Sequence, residues 1–85
     1  MYKIIKKELL APNIYRMDIA APRVACSAKP GQFIILRLDE KGERIPLTIA
    51  DYDAAEGWVT IVTQTVGYST TKLCAMNPGD ELADF

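Results

Sequence analysis

Turn signals punctuate this sequence so often that no element between them can be long. Ala11-Pro12-Asn13, Ala28-Lys29-Pro30-Gly31-Gln32, Asp39-Glu40-Lys41-Gly42-Glu43, Asp53-Ala54-Ala55-Glu56-Gly57 and Asn77-Pro78-Gly79-Asp80 cut the chain into short runs. In the two Pro-Gly turns, Pro30-Gly31 and Pro78-Gly79, proline presets one backbone angle, and glycine accepts the positive angle that follows it. Short runs joined at hairpin spacing fold as antiparallel strands, so the punctuation alone restricts the chain to a small β architecture.

The runs themselves agree. Tyr2–Leu10 is rich in Ile, Leu and Lys and reads as a strand whose lysines protect or solvate an edge. In Ile14–Ala20, Tyr15, Met17 and Ile19 alternate with Arg16 and Asp18, the pattern of a strand with one wet face, and Pro22 closes it. Phe33–Leu38 is apolar on both faces, which predicts a central strand. The charges of the Asp39–Glu43 loop are read as solvated. Trp58–Val66 is heavily β-branched and is the clearest strand in the chain. Gly67-Tyr68-Ser69-Thr70 ends it and opens a helix of roughly two turns to about Met76, with Ser69 or Thr70 capping the first free amides. Glu81–Phe85 begins a last strand. Together these elements predict an all-β fold, a closed or nearly closed six-stranded antiparallel Greek-key barrel with one short helix before the last strand.

Composition limits what such a barrel can do. Eighty-five residues make one small domain, less than most two-substrate enzymes need. A net charge of −1 argues against an electrostatic nucleic-acid footprint. No apolar run approaches membrane-spanning length, and the start lacks a secretory leader's apolar segment, so the expected setting is cytosolic and away from membranes. There is no histidine, and Cys26 and Cys74 stand far apart. The spacing gives no metal motif, and the two thiols are read as small packing residues, with a disulfide as the minor alternative.

One strand does not behave as a strand should. In Arg44-Ile45-Pro46-Leu47-Thr48-Ile49 the proline cannot donate to a ladder, so this stretch must be an edge, bulged, or open to something other than another strand. Alternation puts Arg44, Pro46, Thr48 and Ala50 on one face and Ile45, Leu47 and Ile49 on the other. On these residues alone the plainer reading is a core face and a wet face, and Gly67 with Ser69 or Thr70 is an ordinary helix start. The second reading stays open beside it: a cation, a bent backbone and a hydroxyl facing an amide-rich helix mouth can hold a phosphate and a ring system.

Four motifs in order, Pro30-Gly31-Gln32-Phe33, Arg44-Ile45-Pro46-Leu47-Thr48-Ile49, Gly67-Tyr68-Ser69-Thr70 and Pro78-Gly79-Asp80, resemble the flavin-binding barrel of the ferredoxin-NADP reductase superfamily. The likeness is strongest to the electron-transfer subunit of dihydroorotate dehydrogenase and to the small subunit of NADH-dependent ferredoxin-NADP reductases, also known as sulfide dehydrogenase subunits. The resemblance implies FAD as cofactor. Pro46, Leu47 and Thr48 would line the isoalloxazine, and Val62, Thr63 and Gln64 would contact the cofactor from the next strand, largely through backbone. Gly67, Ser69 and Thr70 would take the pyrophosphate.

Many members of the superfamily have Arg, any residue, Tyr, then Ser or Thr. Aligning Thr48 to the last position puts Ile45 and Leu47 where the Arg and Tyr belong, so Arg44 sits one residue early and can still reach a phosphate if Pro46 bends the strand. The resemblance further implies that a nucleotide-binding domain for NAD(P)H and cluster-binding cysteines lie beyond the barrel or on an iron-sulfur partner subunit. Residues 1–85 would then be the FAD-binding barrel alone, a fragment inactive by itself. An unfinished last strand leaves an edge through which two copies can pair. The other function class compatible with the residues is a non-catalytic binding or assembly module, because fold alone does not fix function.

Overall fold

The computed structural model describes residues 2–29, 31–39, 42–83 and 85. Pro30 of the second turn, Glu40 and Lys41 of the third and Asp84 of the last run lie outside the described residues. Six strands form, β1 (Tyr2–Ala11), β2 (Ile14–Ala20), β3 (Phe33–Arg37), β4 (Arg44–Asp53), β5 (Trp58–Gln64) and β6 (Glu81–Leu82), with helices α1 (Pro22–Ser27) and α2 (Tyr68–Ala75). All pairings are antiparallel, in the order β3-β4-β5-β2-β1-β6. The two ends of this sheet come together: the Ala83 amide, just past β6, donates to the Arg37 carbonyl at the end of β3, 3.0 Å away. The result is a nearly closed barrel with a short helix before its last strand, as the turn spacing predicts.

The turns work as their residues require. Pro12 and Asn13 join β1 to β2 with Asn13 at φ 63°, and Gly31 takes φ 81° while Gln32 N–H donates to Lys29 O at 3.1 Å. At the Pro78-Gly79 turn, Gly79 N–H donates to Ile4 O and Ile4 N–H donates to Asp80 O, both at 2.8 Å, so this turn is stitched onto β1. Inside the barrel, Ile4, Met17, Ile19, Leu36, Ile45, Ile61, Leu73 and Leu82 form one buried cluster. Ala21, Ala25, Ile49 and Val59 form a second under α1.

Four expectations are corrected. Phe33–Arg37 ends the strand order rather than lying in its middle, and Phe33 and Ile35 are exposed: the outward apolar positions sit opposite Thr48 and Pro46 of β4, not beneath another layer. The run after Ala20 is not only a strand end. Pro22 occupies the first turn of α1, where its missing N–H costs nothing. Asp18, on the face predicted to be wet, is buried and accepts a hydrogen bond from Thr60 Oγ1 at 2.5 Å. Both cysteines are free; Cys74 is buried as a packing residue, whereas Cys26 on α1 is exposed.

Candidate functional site

The proline-bearing strand and the helix mouth meet because two paired strands part company. From Asp53↔Trp58 to Ile49↔Ile61, β4 and β5 are hydrogen-bonded neighbours, with a bulge at Ala50 where the register shifts. Beyond Ile49 and Ile61 they separate. Arg44–Thr48 keeps its pairing with β3 alone, from Phe33↔Thr48 to Arg37↔Arg44, and Val62–Gln64 keeps its pairing with β2 alone. Pro46 therefore sits on a flank with no ladder partner among the described residues, the place where a missing N–H is tolerated. The burial of β4 follows the alternation read from the sequence, with Ile45 and Ile49 in the core and Arg44, Pro46 and Thr48 outward.

The chain then leaves β5 through Thr65, which is held by its amide and hydroxyl on the Asn13 carbonyl, and turns into α2. The N-cap is Gly67, with an extended backbone. A Cβ there would meet nothing within 4 Å, so the glycine leaves open space over the helix mouth and relieves no internal clash. Neither Ser69 nor Thr70 is the N-cap. Thr70, in the third helical position, turns back so that Oγ1 accepts from the Val66 and Gly67 amides at 3.0 Å each, and Thr71 Oγ1 donates to Gly67 O at 2.6 Å. Ser69 Oγ donates across the gap to Glu43 Oε2 at 2.9 Å.

These two stretches line one groove. A depression of about 240 Å³ is bounded by Glu43, Arg44, Ile45 and Pro46 on one side and Val66 to Thr70 on the other. It adjoins a second of about 260 Å³ formed by Phe33, Pro46, Leu47 and Thr48. A third, about 350 Å³, continues past the helix mouth between Asp39, Glu43, Tyr68, Ser69 and Lys72. Of the residues singled out in the sequence, Arg44, Pro46, Gly67, Ser69 and Thr70 line the first depression and Leu47 and Thr48 the second. Val62, Thr63 and Gln64 line neither. Val62 and Gln64 are exposed, but the Thr63 side chain is buried, so only the backbone of Thr63 is available on the open flank of β5.

The electrostatics of the groove are mixed. Arg44 stands directly across from Arg37 in register, which places two cations together at one end of the hairpin. The first-turn amides of α2 add partial positive charge. Against these stand the Glu43 carboxylate on Ser69 and Asp39, whose Oδ2 lies 3.9 Å from Lys72 Nζ. Asp39 and Glu43 are exposed, as expected of a solvated loop, and each also has a partner on α2. Phe33, Glu43, Ile45, Val66 and Tyr68 also line the first two depressions and are not among the residues assigned to the site from sequence. Glu43 and Ser69 are 26 positions apart, and nothing local to either signals their contact.

No protein-family model matches the chain. Its sequence relatives are nevertheless clear. A Clostridium beijerinckii protein described as "Uncharacterized protein in adh 3'region" is 68% identical over 85 residues, all of this chain and 29% of that protein. The Thermotoga maritima homologue of the dihydroorotate dehydrogenase B (NAD(+)) electron transfer subunit is 43% identical over 82 residues, 96% of this chain and 29% of the relative. The corresponding electron transfer subunit of Desulforamulus reducens is 32% identical over 83 residues, 94% of this chain and 32% of the relative. A solved structure of NADH-dependent reduced ferredoxin-NADP oxidoreductase, reported for its insights into flavin-based electron bifurcation, superposes with a TM-score of 0.95 at 42% identity. It covers 99% of this chain and 30% of that one.

By fold the chain is a nearly closed six-stranded antiparallel β-barrel. By sequence it is a homologue of the dihydroorotate dehydrogenase B electron transfer subunits and of the NADH-dependent ferredoxin-NADP oxidoreductase, as its ordered motifs suggest. The chain spans 29% to 32% of the length of the curated relatives named here.

Proposed function

We propose that the chain is the FAD-holding barrel of an oxidoreductase subunit that passes electrons between NAD(P)H and an iron-sulfur partner subunit. The observation that carries this reading is the parting of β4 and β5, which leaves the Arg44–Pro46 stretch of β4 and the amide-rich start of α2 on one groove. The fit is chemical. A dinucleotide offers a flat ring system and a diphosphate, and the groove offers Pro46, Leu47 and Thr48 at one end and Arg44, Gly67, Ser69 and Thr70 at the other.

In this reading Pro46 and Leu47 give the ring an apolar floor, and Thr48 supplies a hydroxyl at its edge. Aliphatic Leu47 contributes apolar contact where an aromatic residue would stack. The open flank of Val62–Gln64 offers backbone donors and acceptors. Arg44 and the free amides of α2 offset phosphate charge. FAD, when bound, supplies the hydride and electron chemistry, and the barrel's share is to bind, orient and tune it. The nicotinamide nucleotide and the iron-sulfur cluster are expected on parts of the longer relatives beyond this barrel or on the partner subunit.

Substitution of Thr70 separates charge from architecture. Glu or Gln at the third helical position can reach back to the amides that Thr70 now serves, so both Thr70→Glu and Thr70→Gln preserve the helix start. Only the former adds negative charge at the mouth. The expected result is a shifted visible spectrum and quenched fluorescence when FAD is mixed with the native chain. Thr70→Gln should bind nearly as well, and Thr70→Glu should be at least about tenfold weaker, as like charges brought together in a partly desolvated groove require. Equal binding by the Glu and Gln variants would remove the phosphate from the mouth of α2.

A further inference from the structure

The groove contains an anion of its own. Glu43 ends the loop before β4, lines the depression on each side of the helix mouth, and accepts from Ser69 Oγ at 2.9 Å. A carboxylate is favoured beside the first turn of a helix for the same reason a phosphate is: both answer the unsatisfied amides and the positive end of the dipole. We propose, resting on the flavin reading above, that Glu43 is a built-in competitor for the phosphate, and that it determines how strongly phosphate-bearing flavins are held relative to neutral ones.

The argument is one of occupancy and charge. Ser69 has a single hydroxyl proton to donate, and in this structure Glu43 receives it. A phosphate that takes the Ser69 hydroxyl must displace the carboxylate, which then remains in the same groove as a like charge. Both effects weaken phosphate binding, and neither acts on a ligand that lacks one. Arg44 follows Glu43 in the chain, and Lys72, whose Nζ lies 3.9 Å from Asp39 Oδ2, lines the third depression with it. The Glu43 side chain and its contact with Ser69 are exposed, so the carboxylate can be displaced into solvent.

The test compares FAD with riboflavin, which carries the same ring but no phosphate, on the chain and its Glu43→Gln variant. Glutamine keeps the size and can still accept from Ser69, but it has no charge. The expected result is FAD binding about two- to fivefold tighter in the variant, the range set by removing one partly exposed like charge, with the gain shrinking as salt is raised. Riboflavin binding should be unchanged. FAD binding that is equal or weaker in the variant, or riboflavin tightened as much as FAD, overturns the proposal while the flavin reading stands. Absence of flavin binding by both proteins overturns the flavin reading and this proposal with it.

Discussion

Asp18 on β2 and Thr60 on β5 are register partners, and their side chains meet where the sequence pattern calls for water. The carboxylate is buried, Thr60 Oγ1 donates to it at 2.5 Å, and Arg16 Nε stands 3.8 Å away without a hydrogen bond among the described residues. Removing one partner of such a bond leaves the other desolvated and unsatisfied, which costs more than the bond itself contributed. Thr60→Val is therefore expected to destabilise the chain by about 1–3 kcal/mol. Thr63, on the same strand, is the opposite case. Its hydroxyl is buried with no partner among the described residues, so Thr63→Val removes a desolvated group and should leave the chain as stable or up to about 1 kcal/mol more stable. A urea midpoint lowered for Thr60→Val and unchanged or raised for Thr63→Val would bear this out, and a destabilised Thr63→Val would show that its hydroxyl has a partner.

At the scale of elements, the joint between the β4–β5 hairpin and α1 includes one glycine as well as the Ala25, Ile49 and Val59 cluster. Gly57 takes φ 77°, is buried, and accepts from the Ala21 amide at 2.9 Å, while the space a Cβ would fill is bounded by Pro22 Cγ at 3.2 Å and Cβ at 3.3 Å. Gly57→Ala thus combines a left-handed backbone with pressure on the first residue of α1. It should cost about 2 kcal/mol or more, read as a lowered unfolding midpoint. Gly67→Ala meets open space at an extended backbone and should fold normally, so any loss of flavin binding there would be local to the groove.

The elements also explain what sequence reasoning could see. Strands and turns were legible because alternation and Pro-Gly chemistry are local. The half-edge character of β4 was legible because Pro46 forbids one ladder bond. Helix α1 was missed although Pro22 at its first turn is a start signal, because six residues give too short a period to detect. Phe33 and Ile35 misled, since an apolar run does not say whether its second face meets a layer or an open surface. Glu43 and Asp18 were out of reach, because their partners lie in distant parts of the chain.

For the whole molecule, the weight carried by a strand does not follow its length. Ile61 lies at the centre of the sheet, opposite both Met17 and Ile49, and is fully buried. Leu82 belongs to a strand of two residues, yet it is as completely buried, packs in the same cluster, and sits opposite Tyr2 on β1. The next residue, Ala83, donates to Arg37 across the remaining seam. Truncating Leu82 therefore removes core volume and also loosens the point at which the two ends of the sheet meet. Leu82→Ala and Ile61→Ala should each cost about 2–5 kcal/mol, a large part of the stability of a domain this size, and each should lower a single cooperative unfolding transition. Ile35→Ala, at a position 48% exposed on the outer face of β3, should change it by no more than about 0.5 kcal/mol. Denaturant unfolding followed at Trp58 measures all three. If Leu82→Ala tracks Ile35→Ala rather than Ile61→Ala, β6 is an appendage and the barrel is held by its five longer strands.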